Sequence, residues 1–556
     1  MTLPILALCA LLPIISIFVL MVQFHIPASK VMPLSFLITV ALAFLVWKMP
    51  LHWIFASCIE GTMLAFKIIL IVFGALTLLF TLRACGALQA IKHGFTSISP
   101  DRRIQTILIA YFFGAFIEAS AGFGTPAALA APLLLSLGFP PLGAVMVALV
   151  ANSTPVSFAC VGIPTIMGIG ATLQTPEILE TLSCEGVIFN EFIHQIGVWT
   201  ALLHFIPGLM LPLLMVCLLT RFFGTKRSIK EGLVIWPFAL FAALCFLLPY
   251  LLVAIFLGPE FPSLAGSLLG ISILIPCTKA GFLQPKELWD FPQKERWEKK
   301  WMGSIEVQEP LITQKVNLLK AWIPYILIAI MLVVTRVEFL PFKNWVTSVK
   351  WVSPTLLGTT LFAEFDPLNS AGVMPFMLIA LLSIPFFKTK RNQVQTAWKD
   401  AFKGIKGPLL ALIFAVPLVR VMMHSGNNPH HYVAMPIALA EYMAQIFSSV
   451  WPIVDTFVGA LGAFITGSNT VSNMLFSLFQ YSVAESIGIS RVVVVALQNV
   501  GGAFGNMICP HNIIAACATV GLSGVEGILI KRNLIPMSIM AATAGVIGLL
   551  LMYYCM

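Results

Sequence analysis

The segment Gly114-Ala115-Phe116-Ile117-Glu118-Ala119-Ser120-Ala121-Gly122-Phe123-Gly124-Thr125-Pro126 limits the fold most strictly, because it places a carboxylate and a glycine break inside apolar sequence. The apolar run before it, 104–117, covers only ~21 Å of a ~30 Å hydrocarbon core at ~1.5 Å per residue. The arm after it, 127–139, is equally short. Two short helices meeting at Gly122 and Gly124 predict a re-entrant hairpin over 104–139. That shape is allowed at membrane depth only where protein or a water-filled cavity covers the unpaired backbone. The tip is therefore expected to line a cavity.

Composition supports a membrane setting. Hydrophobic residues make up 59% of the 556 and charged residues 10%, with mean hydropathy +0.97. These values exclude soluble, disordered and coiled-coil folds and predict an all-α polytopic membrane protein. The 32 Lys and Arg against 23 acids read as basic cytoplasmic loops rather than a nucleic-acid surface. The 11 cysteines are scattered through apolar runs without ligand spacing, so neither a disulfide frame nor a metal site is expected, and no cofactor. The first run, 3–22, lacks a basic leader and a clear cleavage site, and reads as a retained helix.

Basic residues orient the runs. Arg83, Lys92, Arg102 and Arg103 precede the hairpin, and further basic groups crowd 221–230, 284–320 and 388–406. The loop 171–195 carries Glu177, Glu180, Glu185 and Glu191 and no Lys or Arg. The resulting map places both termini outside. It divides the chain into N-terminal helices (1–60), a first repeat (61–232; hairpin 104–139, broken helix 142–170), connecting helices with the cytoplasmic loop 284–320 (233–390), and a second repeat (391–556; hairpin 452–482, broken helix 491–524).

The second repeat is visible in the residues. Gly462-Ala463-Phe464-Ile465 repeats Gly114-Ala115-Phe116-Ile117, and the same offset brings Ser468 onto Ser120 and Ala496-Leu497 onto Ala148-Leu149. Each hairpin follows a full apolar run (62–82; 407–423) ending near a basic residue, Arg83 or Arg420. An odd number of crossings between the copies predicts two inverted repeats, each with a re-entrant hairpin and a broken transmembrane helix. Paired interruptions of this kind mark a midplane substrate site in secondary transporters.

The segments 118–126 (EASAGFGTP), 138–142 (GFPPL), 151–164 (ANSTPVSFACVGIP), 418–426 (LVRVMMHSG), 462–473 (GAFITGSNTVSN) and 501–513 (GGAFGNMICPHNI) resemble the L-lactate permease family. Members of that family carry lactate, and in some cases glycolate, with protons across the bacterial inner membrane. The resemblance covers most of the chain. It implies an inverted-repeat fold like that of the ion-transporter superfamily, which includes sodium-coupled dicarboxylate carriers. It also implies a small monocarboxylate and a proton as partners, and sodium coupling is the alternative. The family commonly has Glu-Gly-Ala-Ala where Glu118-Ala119-Ser120-Ala121 stands, Asp where Asn469 stands, and Pro-Gln at Pro510-His511. Glu118 is therefore the one acidic residue at either tip.

A carboxylate near the hydrocarbon centre costs several kcal/mol when ionised. Glu118 is accordingly expected either to exchange a proton near neutral pH or to stay neutral as a structural group. Ser120, Gly122, Gly124, Thr125, Asn152, Ser153, Thr154, Ser468, Asn469, Thr470, Asn473 and Asn499 surround the expected tips at 118–126 and 466–473 and the expected breaks at 152–155 and 499–502. Their hydroxyls, amides and free N–H groups at half-helix N-termini suit a small anion, although Ser and Thr also cap broken helices. Asn152 and Asn499 are placed to reach a 2-hydroxyl. Arg420 either grips a carboxylate or snorkels to the interface. His511 is a proton relay or a polar structural residue. No HExxH, DDxxD or Ser-His arrangement points to an enzyme.

The charge map is testable. Single cysteines at Gln284 and Thr175, in a background without exposed native thiols, should react with an impermeant reagent from opposite sides. Labelling from one side would break the inverted map.

Overall fold

The computed structural model describes residues 1–552 except 21–23, 25, 27, 97, 123–124, 303–315, 337–340, 369–372 and 523. Among the described residues helices dominate, and the strands are one antiparallel pair, Trp351–Val352 with Glu364–Phe365. Seven helical segments are long and apolar enough to cross a bilayer, among them Arg102–Ala121, Phe189–Phe223, Trp236–Leu257 and Glu526–Leu550. The chain is an all-α polytopic membrane protein. It gathers into two compact units: Met1–Ile91, Thr313–Ser449 and Met474–Ile489 form the first, and Lys92–Ile312, Val450–Asn473 and Ser490–Met556 the second.

The first unit is built on two long packed helices, Leu51–Ala84 and Arg391–His424. Gly61 sets their approach, since a Cβ there would stand 2.6 Å from Pro417 Cα. Charges within apolar helices persist by pairing. Glu60 meets Arg420 at 3.4 Å and His424 Nε2 at 2.9 Å, and Lys67 pairs with Asp366. Lys67 is thus partnered. His424 ends its helix with its ring on Glu60.

In the second unit the first hairpin begins at a buried ion pair. Asp101 accepts from Arg103 N at 2.8 Å, Nε at 3.1 Å and Nη2 at 2.7 Å, and from Trp289 N at 3.2 Å. Arg103 also donates to the carbonyls of Glu231 and Glu287, both at 2.8 Å. With the charge so completely bonded, the helical path starts at Arg102 and runs 20 residues to Ala121, fully buried and longer than the apolar run alone predicts. It includes a π-helical stretch, Ile107–Phe113. Gly122, at φ +60°, turns the chain, and Thr125–Ser136 returns.

The first broken run follows Pro141–Ala151. Its break at Asn152 and Ser153 lies where the sequence places it, and it continues as a 3-10 turn, Thr154–Phe158. Cys160, Val161 and Gly162 then take left-handed conformations at φ 46°, 59° and 77° before the π-helix Pro164–Gly170. A β-branched residue held left-handed costs ~1–3 kcal/mol, a strain that clusters at functional sites.

The second hairpin comprises Trp451–Thr466, a left-handed Gly467 (φ 80°) and Asn469–Ile487. One expectation fails beyond it. The break placed at 499–502 is unbroken helix, Arg491–Gly505, and the interruption falls at 506–509, before Pro510–Thr519. The glycines there serve packing instead. A Cβ on Gly501 would lie 2.0 Å from Thr456 O, on Gly505 2.3 Å from Ala460 O, and on Gly459 2.4 Å from Gln498 O. Backbone touches backbone along this seam, as small residues permit between membrane helices.

Gly501→Ala should therefore open the seam. Purified protein is expected to lose ~1–3 kcal/mol, the cost typical of overpacking, read as a lower thermal midpoint by size-exclusion of heated samples. An unchanged midpoint would mean that the two helices do not rely on this contact.

Candidate functional site

The first tip, the strained run and the second tip line a partly open pocket in the second unit. Glu118 and Gly122 come from the first tip, Cys160 and Pro164 from the broken run, Gly467 to Thr470 from the second tip, and Asn506 from the later interruption. Among the described residues no Lys or Arg lines it.

Glu118 is buried, and the Asn152 side chain hydrogen-bonds its carboxyl. Its Oε2 has no partner among the described residues, nor does Asn152 Oδ1, so Asn152 acts through its N–H. Because Asn152 caps the end of Pro141–Ala151, the helix break itself delivers that donor.

Several predicted ligands turn out to be spent within the fold. Ser120 donates to Phe116 O at 3.0 Å, Thr125 to Gly122 O at 2.7 Å and Ser153 to Val150 O at 3.1 Å. These hydroxyls cap or back-bond their own helices. Thr154 Oγ1 is buried without a partner among the described residues and is not part of the pocket lining.

Asn499 is the hub of a buried network. Its Oδ1 accepts from Asn469 Nδ2 and Asn473 Nδ2, both at 2.9 Å, and its Nδ2 donates to Thr165 Oγ1 at 2.9 Å and Thr200 Oγ1 at 3.3 Å. Its carbonyl accepts from Ser157 Oγ at 3.2 Å, which also lies 2.8 Å from His204 Nε2. Asn473 reaches Pro164 O at 3.0 Å as well. The network ties the second tip to the first broken run and to helix Phe189–Phe223. Asn469 Oδ1 packs on Gly502, where a Cβ would lie 1.9 Å away. The amides of Asn469, Asn473 and Asn499 therefore position the walls.

Ser468 and Thr470 remain open to a ligand, for neither hydroxyl has a partner among the described residues and both line the pocket. Arg420 belongs to the first unit, on Glu60. Gly124 and the His511 side chain lie outside the described structure.

Sequence reasoning missed Ser157, Thr165, Thr200, His204, Asn506 and Asn512. Thr200 and His204, one turn apart within an apolar run, were the available signal. It also missed Asp455, which is fully buried in helix Trp451–Thr466 with neither oxygen partnered among the described residues. Asp455 lies ~17 Å along the helix from the second tip, outside the pocket lining.

Broken helices around a partly open, charge-poor pocket give this membrane protein the layout of a transporter. The family described as L-lactate permease matches residues 6–555. A Haemophilus influenzae relative is 31% identical over 571 residues, 98% of either chain. The L-lactate permease of Escherichia coli K12 is 28% identical over 576 residues, covering 98% of this chain and 96% of its own. The glycolate permease GlcA of the same strain is 27% identical over 577 residues, covering 98% and 96%. The chain belongs to the L-lactate permease family.

The hub is testable by stability alone. Asn499→Leu strands the amides of Asn469 and Asn473 and should cost ~2–5 kcal/mol, lowering the thermal midpoint without any ligand present. Ser468→Ala, which breaks no bond of the network, should leave it near wild type. Equal midpoints for the two variants would remove Asn499 from its structural role.

Proposed function

We propose that this protein takes up lactate or a related small 2-hydroxy monocarboxylate, such as glycolate, across the bacterial cytoplasmic membrane by proton symport, with both termini external. The observation that carries the proposal is a single acid, Glu118, facing the first turn of helix Asn469–Ile487 across a pocket without Lys or Arg. The names of the relatives supply the substrate class.

The anion lies at the second tip. The positive end of a 19-residue helix and its unbonded first-turn N–H groups attract a carboxylate without a full basic charge. Ser468 and Thr470 add hydroxyl donors. Glu118 lies at the opposite kind of helix end, the C-terminal turn of Gly114–Ala121. An ionised Glu118 beside the anion would place two negative charges in one low-dielectric pocket; a proton on it leaves one. Substrate and proton are thereby bound together. A dicarboxylate would restore the repulsion, which restricts the pocket to monocarboxylates.

Because only the protonated form of Glu118 tolerates the anion, lactate affinity should fall as pH rises through the pKa of Glu118. Glu118→Gln, a mimic of the acid, should keep lactate:lactate exchange with little pH dependence and lose uptake driven by an imposed pH gradient. The measurement is labelled L-lactate flux in proteoliposomes over a pH series, with and without sodium. Gradient-driven uptake by the Gln variant would take Glu118 out of the mechanism. Uptake that requires sodium would replace the proton as coupling ion.

A further inference from the structure

We infer that Asn506 is a substrate-binding residue that holds the carboxylate through its amide N–H groups, and that Asn512 positions it. The inference rests on the pocket taking a monocarboxylate, as proposed above.

Among the amide side chains of the network, the structure sets Asn506 apart. Asn469, Asn473 and Asn499 donate their N–H groups to protein acceptors. Asn152 donates to Glu118. Asn506 is different: its Oδ1 accepts from Asn512 Nδ2 at 3.0 Å, and its own Nδ2 has no acceptor among the described residues, although the residue is only 4% exposed and lines the pocket. An amide whose oxygen is fixed by a donor must present its NH₂ in the other direction. That leaves two N–H donors facing a cavity lined, among the described residues, by no Lys or Arg.

The setting makes Asn506 rigid. It caps helix Arg491–Gly505, whose end is pressed onto Ala460 at Gly505. Asn512, itself buried, stands in the first turn of Pro510–Thr519 and ties the two sides of the interruption together. Asn533 from helix Glu526–Leu550 holds the backbone of the interruption by donating to Met507 O at 2.9 Å. Buried donors fixed in advance bind an anion without the cost of ordering them.

A division of labour between the two broken runs follows. Each first helix ends on an asparagine cap, Asn152 or Asn506. The first serves the acid Glu118. The second faces the anion, opposite the N-terminus of Asn469–Ile487.

The test is L-lactate:L-lactate exchange in proteoliposomes, which requires no net proton movement. Asn506→Ala should raise KM about tenfold or more, the effect of losing a hydrogen bond to a charged group, with Vmax nearly unchanged. Asn512→Ala, which touches no ligand, should raise KM by less. Asn512→Asp offers only acceptors, so it should capture the Asn506 NH₂, turn the amide oxygen toward the substrate, and raise KM at least as much as Asn506→Ala. A structural role alone would lower the yield of folded transporter and leave the KM of the folded fraction unchanged. Wild-type KM in Asn506→Ala overturns the inference. If that variant does not fold, wild-type KM in Asn512→Asp overturns it. A loss in Asn506→Ala with both Asn512 variants at wild-type KM overturns the positioning role. Failure of the wild type to exchange lactate or glycolate would instead refute the proposed function.

Discussion

Everything at the site depends on the satisfaction of polar groups where water is scarce. Interrupting a helix at membrane depth frees N–H and C=O groups that each cost several kcal/mol if left bare. Asn473, Thr165, Ser263 and Tyr250 meet that requirement at the first broken run by donating to the carbonyls of Pro164, Ser157, Pro155 and Thr154, while the Asn499 side chain joins the second tip, that run and helix Phe189–Phe223. Such a network is stable only when complete, because in a low-dielectric interior each missing partner is expensive. The glycine seam between Trp451–Thr466 and Arg491–Gly505 serves the same end by bringing backbones close enough for short polar side chains to bridge them.

Around this scaffold the full charges are sorted by pairing. Asp101 with Arg103 anchors the base of the first hairpin, while Glu60 with Arg420 and His424, and Lys67 with Asp366, lie in the other unit. None of these cations lines the pocket. The polar side chains that line it are one carboxyl, two hydroxyls, two amides and a thiol. The left-handed run Cys160 to Gly162 adds stored strain on one wall of the pocket, and Gly162 fits only because a Cβ there would meet Pro259 O at 2.4 Å.

The 27–31% identities join this chain to lactate and glycolate permeases over nearly its full length. The glycolate and lactate named there share a 2-hydroxy carboxylate core and differ by a methyl group.

The sequence alone determined the membrane class, the helical content, the turns at both hairpin tips, the first break and the placement of a carboxyl, Glu118, in apolar surroundings. These follow from local rules: apolar run length, glycine at a turn, and the cost of a carboxylate in hydrocarbon. What only tertiary structure decided is which polar side chains are spent and which are free. Nothing in the sequence distinguishes Asn499, whose amide is fully bonded, from Asn506, whose NH₂ is open, because the difference lies in Thr165, Thr200 and Asn512 arriving from other elements. The second break was misplaced for a related reason. Gly501 and Gly502 look like helix breakers locally, yet they are required where Thr456 and Asn469 press against the helix, so that distant packing, not local propensity, sets their role.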